Sequence, residues 1–93
     1  MYIILVYDIA LDENGAKVLR HVFKICKKYL SHVQKSVFEG ELTKSQLQKL
    51  TVELNNWIRD DKDSVIIFKN RNKNWLTKQF IGMDTSAATS NFF

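Results

Sequence analysis

Two strongly apolar strands, two amphipathic helices and a short alternating segment between them predict an α+β fold in the order β-α-β-β-α-β. Three observations carry this reading. Residues 2–9 (YIILVYDI) are apolar on both alternating faces. Residues 16–30 and the stretch from Thr43 to about Ile58 repeat apolar residues at helical spacing. Residues 32–42 (HVQKSVFEGEL) alternate with period two. The order is that of the split βαβ, or ferredoxin-like, arrangement, extended here by a C-terminal edge strand.

In the first strand, Ile3, Leu5, Tyr7 and Ile9 share one face, and Tyr2, Ile4 and Val6 share the other with Asp8 at the carboxyl end. A strand facing water would alternate with polar residues, so both faces are expected to be covered. The first helix turns Leu19, Val22, Phe23, Cys26 and Leu30 inward, with Asp12 as its expected N-cap and Glu13 suited to the positive end of its dipole. Its other side carries Lys17, Arg20, His21, Lys24, Lys27 and Lys28, with no acid between Glu13 and Glu39.

Eleven residues are long for one strand, so 32–42 are read as two, with a bend or tight turn near Ser36 to Gly40. Thr43 opens a capping box with Gln46, and Leu47, Leu50, Leu54, Trp57 and Ile58 form the inward stripe of the second helix. RDDKD is a polar turn, SVIIFK a buried strand, NRNKN a basic loop and WLTKQFI the edge strand. The domain is drawn at 1–82, with a loosely held polar tail over 83–93. Both helices cover the same sheet face, so Tyr2, Ile4 and Val6 need an external cover. A second copy of the chain is the cheapest one, meeting the first through this face and the edge strand near Trp75 to Ile81.

Composition bounds the function classes. With 93 residues, 45% of them hydrophobic, the chain suits one compact domain. A single cysteine, Cys26, excludes an intramolecular disulfide and a cysteine-based zinc site, and fits a reducing cytoplasm. The apolar start lacks a basic flank and a cleavage site and contains Asp8, so it is not read as a signal peptide. The net charge of +4 is mild, so placement of the cations has to decide between partners.

Asp8 reads either as a solvated strand-end aspartate or as a ligand for a hard cation. Mg²⁺ takes oxygen donors and is often held by one or two carboxylates plus water and phosphate. A twofold axis near Asp8 would bring in a second carboxylate. The basic helix face is a solvated surface in most proteins, and the lack of interleaved acids raises the alternative, a phosphate-binding face. Arg20 can make bidentate phosphate contacts. Lys69, Arg71, Lys73 and Lys78, with Asn70, Asn72 and Asn74 beside Trp75, form a second basic patch or a solubilising turn. His21 and His32 have no third ligand at metal spacing, Cys26 is core packing, and Ser36 has no adjacent histidine. Phosphate-cradling glycine motifs and the aromatic pattern of an RNA-recognition motif are missing.

Taken together, YDI at Tyr7 to Ile9, the basic helix carrying Arg20, and VQKSVFEGEL at Val33 to Leu42 resemble the CRISPR-associated protein two family, in order along nearly the whole chain. The resemblance implies a ferredoxin-like homodimer with the aspartate of YDI, Asp8, as both catalytic residue and Mg²⁺ ligand. It implies metal-dependent cleavage of single-stranded RNA or double-stranded DNA. It also implies a part in spacer acquisition, in which the dimer bridges two dimers of the CRISPR integrase and lies along duplex DNA. Arg20, Ser36 and Phe38 match positions around the family's nucleic-acid face, and Tyr7, Lys17 and Lys24 are read with them as nucleic-acid-binding residues. His32 stands where members often carry arginine. Three readings follow: a metal-dependent endonuclease, a structural DNA-binding adaptor, and a toxin-like ribonuclease of the same fold.

Overall fold

The computed structural model describes residues 1–71, 79 and 81–82. It contains β1 (Tyr2–Asp8), α1 (Gly15–Tyr29), β2 (Ser31–Gln34), β3 (Val37–Glu41), α2 (Lys44–Asn55) and β4 (Ser64–Asn70). Of the expected edge strand over WLTKQFI only Gln79 and Ile81 are described, both exposed and neither in a strand, and the rest of it and the tail from Met83 fall outside the described residues. The α+β order is the expected one. The strands form one sheet in the order β2-β3-β1-β4 with every neighbouring pair antiparallel.

β1, the most apolar strand, lies between β3 and β4, where its inner face can be covered by both helices. Ile3, Leu5 and Tyr7 turn toward the helices and are buried, together with Phe38 from β3, Val22 and Cys26 from α1, and Leu50 and Leu54 from α2. The capping box at α2 forms as expected. The Thr43 hydroxyl accepts from the Gln46 backbone N–H and the Gln46 side chain accepts from the Thr43 N–H. That helix stops at Asn55 rather than near Ile58, and the N–H groups of Trp57 and Ile58 close on the Leu54 carbonyl.

Three local expectations are corrected. The turn between β2 and β3 sits at Lys35–Ser36, with Lys35 at φ 39°, so Gly40 lies inside β3. His32, buried beneath this turn, donates from Nε2 to the Lys35 carbonyl at 2.6 Å and so holds the positive-φ residue in place. The residue preceding α1 is Asn14, with no side-chain cap. Asp12 accepts from the Asn14 N–H but commits its carboxylate to Arg59 and Lys62 instead. β4 is not a buried strand. Val65 and Ile67 are half-buried, whereas Ile66 and Phe68 are 54% and 53% exposed, because both helices lie on the other face.

The face away from the helices is therefore apolar and open. Register places Ile4 opposite Phe68 and Val6 opposite Ile66 on one side, and Val6 opposite Val37 on the other. At one end of this face the Tyr2 hydroxyl donates to Glu39 at 2.8 Å.

Candidate nucleic-acid and metal site

Asp8 is the last residue of β1, paired in register with Ser64 and exposed. Alternation turns Tyr7 toward the helices and Asp8 toward the open face, so the two neighbours address opposite sides of the sheet. Among the described residues no hydrogen bond or ion pair engages the Asp8 carboxylate.

The chain just past Asp8 is held tightly. The buried Asp63 carboxylate accepts the Ala10 N–H at 2.9 Å, the Arg59 backbone N–H at 3.0 Å, and two N–H groups of the Arg59 guanidinium at 2.8 and 3.0 Å. Arg59 also donates to the Ala10 carbonyl at 2.9 Å and to Asp12 at 2.6 Å. Both backbone groups of Ala10 are thus tied to one ion pair. The same carbonyl lies against the start of α1, where a Cβ on Gly15 would come within 2.2 Å of it. Only glycine fits there. The Arg59 hydrogen bonds hold the Asp63 carboxyl down at about 2 against the opposing effect of burial. Those from Arg59 and then Lys62 hold Asp12 well below the ordinary carboxylate range. Asp63, and then Asp12, raise Arg59 in turn. The sequence alone reads RDDKD as a polar turn and singles out neither Arg59 nor Asp63. Their i,i+4 spacing is the available signal.

On the helix side, α1 and the β2–β3 turn enclose an open groove of about 850 Å³. Tyr7, Ala16, Leu19 and Phe23 form its apolar floor, and Arg20, Lys24, Lys27 and Lys35 surround it with no acid among the lining residues. The Tyr7 N–H donates to the Ser36 carbonyl at 3.2 Å, which joins the turn to the end of β1. Burial pushes the Tyr7 phenol up to about 12, so it stays neutral.

The structure gathers four of the six expected nucleic-acid residues, Tyr7, Arg20, Lys24 and Ser36, around this groove. The other two are elsewhere. Phe38 is fully buried, 6.0 Å from the Tyr7 ring and 5.5 Å from that of Phe23, so it supports the floor from behind and offers no surface. Lys17 leans over Trp57, whose ring stacks on His21 at 3.6 Å, on another part of α1. The basic face is likewise divided, since Lys28 is paired with Glu53.

Among the described residues no group of three or more His, Cys, Asp or Glu could hold a metal ion. One chain offers a single exposed carboxylate at Asp8. That donor fits Mg²⁺ as part of a shared site, because Mg²⁺ accepts one or two carboxylates and completes its shell with water and phosphate. No helix among the described residues is long and apolar enough to cross a membrane.

A ferredoxin-like α+β domain with a lone strand-end carboxylate and a cation-rimmed groove defines a class, and comparison with known proteins places the chain within it. Residues 1–78 match the family model described as CRISPR associated protein Cas2. A Fusobacterium nucleatum protein named CRISPR-associated endoribonuclease Cas2 is 51% identical over 92 residues, covering 99% of this chain and 86% of its own length. A Moorella thermoacetica protein named CRISPR-associated endoribonuclease Cas2 2 is 42% identical, covering 96% and 98%. Among solved structures, one described as the crystal structure of cas2 superposes with a TM-score of 0.80 at 40% identity, covering 92% of this chain and 91% of that one. Streptococcus pyogenes Cas2 gives 0.73 at 34% identity, covering 81% and 90%. The chain belongs to the Cas2 family.

Proposed function

We propose that the chain acts in CRISPR adaptation as a homodimeric Cas2 subunit that binds nucleic acid through α1 and carries a metal-dependent endonuclease centre at Asp8. The observation that carries this reading is the position of Asp8, exposed and unengaged among the described residues, at the rim of an open apolar face. A second copy covering Ile4, Val6, Ile66 and Phe68 brings its own Asp8 toward the same rim. The relatives named as endoribonucleases support hydrolysis of a phosphodiester. Mg²⁺, when bound, supplies charge compensation and a more acidic water. Asp8 from each chain would hold it, and Arg20, Lys24 and Lys27 hold the phosphates of the strand. In the same role the dimer lies along duplex DNA and joins two dimers of the integrase subunit.

The absence of a three-ligand cluster among the described residues favours a second reading, in which the dimer is a non-catalytic DNA-binding adaptor. Asp8→Asn separates the two. It keeps shape and removes charge, so folding and dimer mass survive. Under the nuclease reading, Mg²⁺-dependent cleavage of RNA or DNA collapses. Under the adaptor reading, spacer acquisition in cells persists. Cleavage by purified Asp8→Asn at the parental rate, or in excess chelator, would refute the assigned centre.

A further inference from the structure

The groove beside α1 is unlike a surface built to track a phosphate backbone. Its floor is made of Tyr7, Leu19, Phe23 and the Ala16 methyl, while its cations stand around the edge. Phosphates alone would gain nothing from that apolar floor, and a paired base, stacked inside its duplex, could not reach it. We infer that the groove receives an unpaired base of single-stranded RNA, with the flanking phosphates on Arg20, Lys24 and Lys27. The inference rests on the reading of α1 as the nucleic-acid face and names the form of strand that this face selects.

Three features support the assignment. Size is the first, because about 850 Å³ exceeds the space a purine ring fills. Surface chemistry is the second. Aromatic and aliphatic side chains meet a base through its faces irrespective of sequence, and such contacts dominate single-strand binding. Tyr7 and Phe23 are themselves braced by Phe38, so the floor is rigid before any base arrives. Charge placement is the third. Arg20, Lys24 and Lys27 follow one stripe of α1, about 6 Å and then about 4.5 Å apart along its axis, and no acid lines the groove to oppose a phosphate.

The test is a binding measurement in the Asp8→Asn background, where RNA stays intact and the outcome is independent of any cleavage. Fluorescence anisotropy is recorded for a short labelled single-stranded RNA, for the same strand with abasic riboses, and for an RNA duplex. The abasic strand, which keeps every phosphate, is expected to bind about tenfold more weakly than the intact one. Ala16→Phe, at an exposed helix position, fills the groove and leaves the cations. It should lower intact-strand affinity to the abasic level and leave duplex affinity unchanged. Equal affinity of intact and abasic strands overturns the inference, as does parental single-strand affinity in folded Ala16→Phe. In either event the α1 cations can still bind phosphates and Asp8 can still act, so this failure is distinct from failure of the proposed function.

Discussion

Arg59 and Asp63, four residues apart, close a buried ion pair whose spare hydrogen bonds grip both backbone groups of Ala10, two residues beyond Asp8. The loop after β1 is thereby fastened to the loop before β4 by side chains rather than by sheet hydrogen bonds. A carboxylate with no side-chain support of its own among the described residues is set on a rigid base.

Asp63→Ala removes the acceptor and leaves the Arg59 guanidinium and the Ala10 N–H without it. A buried pair broken on one side costs about 3 kcal/mol, to be read as a lower midpoint in urea unfolding at neutral pH. The pH dependence has a definite sign. The Asp63 carboxyl is lowered from 3.8 to about 2 in the fold, so its contribution is complete above about pH 4 and is lost as pH falls through 2. Asp63→Asn lacks that part of the acid-unfolding curve, which is measured by circular dichroism at decreasing pH.

Gly15→Ala inverts the usual helix rule. In an unconstrained helix, alanine gains about 1 kcal/mol over glycine. Here the new methyl would lie 2.2 Å from the Ala10 carbonyl, which Arg59 holds from the other side. Destabilisation by about 2 kcal/mol is expected in denaturant unfolding. A stabilised Gly15→Ala would mean that the Ala10 carbonyl yields freely.

Val6→Asp and Phe68→Asp each place a charge on the open sheet face. Val6 is half-buried and Phe68 is 53% exposed, so both variants should fold, but a second copy could cover the charge only at a desolvation cost. Light scattering at low salt should report a shift from dimer to monomer for both. A stable dimer in both variants would place the interface elsewhere.

Charge removal should act locally along α1. Replacing Arg20, Lys24 and Lys27 by glutamine should lower the salt slope of single-strand binding by about 2, at roughly 0.7 for each phosphate no longer neutralised. Lys17→Gln should leave the slope unchanged, since that ammonium lies over Trp57 and away from the groove. A slope that falls equally in both would show that the whole helix face meets the strand.

Local pattern determined most of this protein's architecture. A short run apolar on both faces defines β1, period-two alternation defines the β2–β3 pair, helical spacing defines α1 and α2, and the Thr43–Gln46 box marks a helix start, because each signal is complete within a few residues. YDI and VQKSVFEG likewise point to Asp8, Tyr7 and Ser36 without any knowledge of the fold. Tertiary structure alone decided which side chains share a surface. Phe38 carries the same sequence signal as Tyr7 yet lies in the core, and Lys17 sits on the helix of Lys24 yet points at Trp57. The exposure of Ile66 and Phe68 follows from both helices taking one face of the sheet, which the strand's own composition does not encode. The clamp past Asp8 depends on hydrogen bonds between residues 49 and 53 apart in the chain, from Arg59 and Asp63 to Ala10. Such pairings arise only when β4 takes its place beside β1, since a hydrogen bond acts over about 3 Å of space and takes no account of distance along the chain.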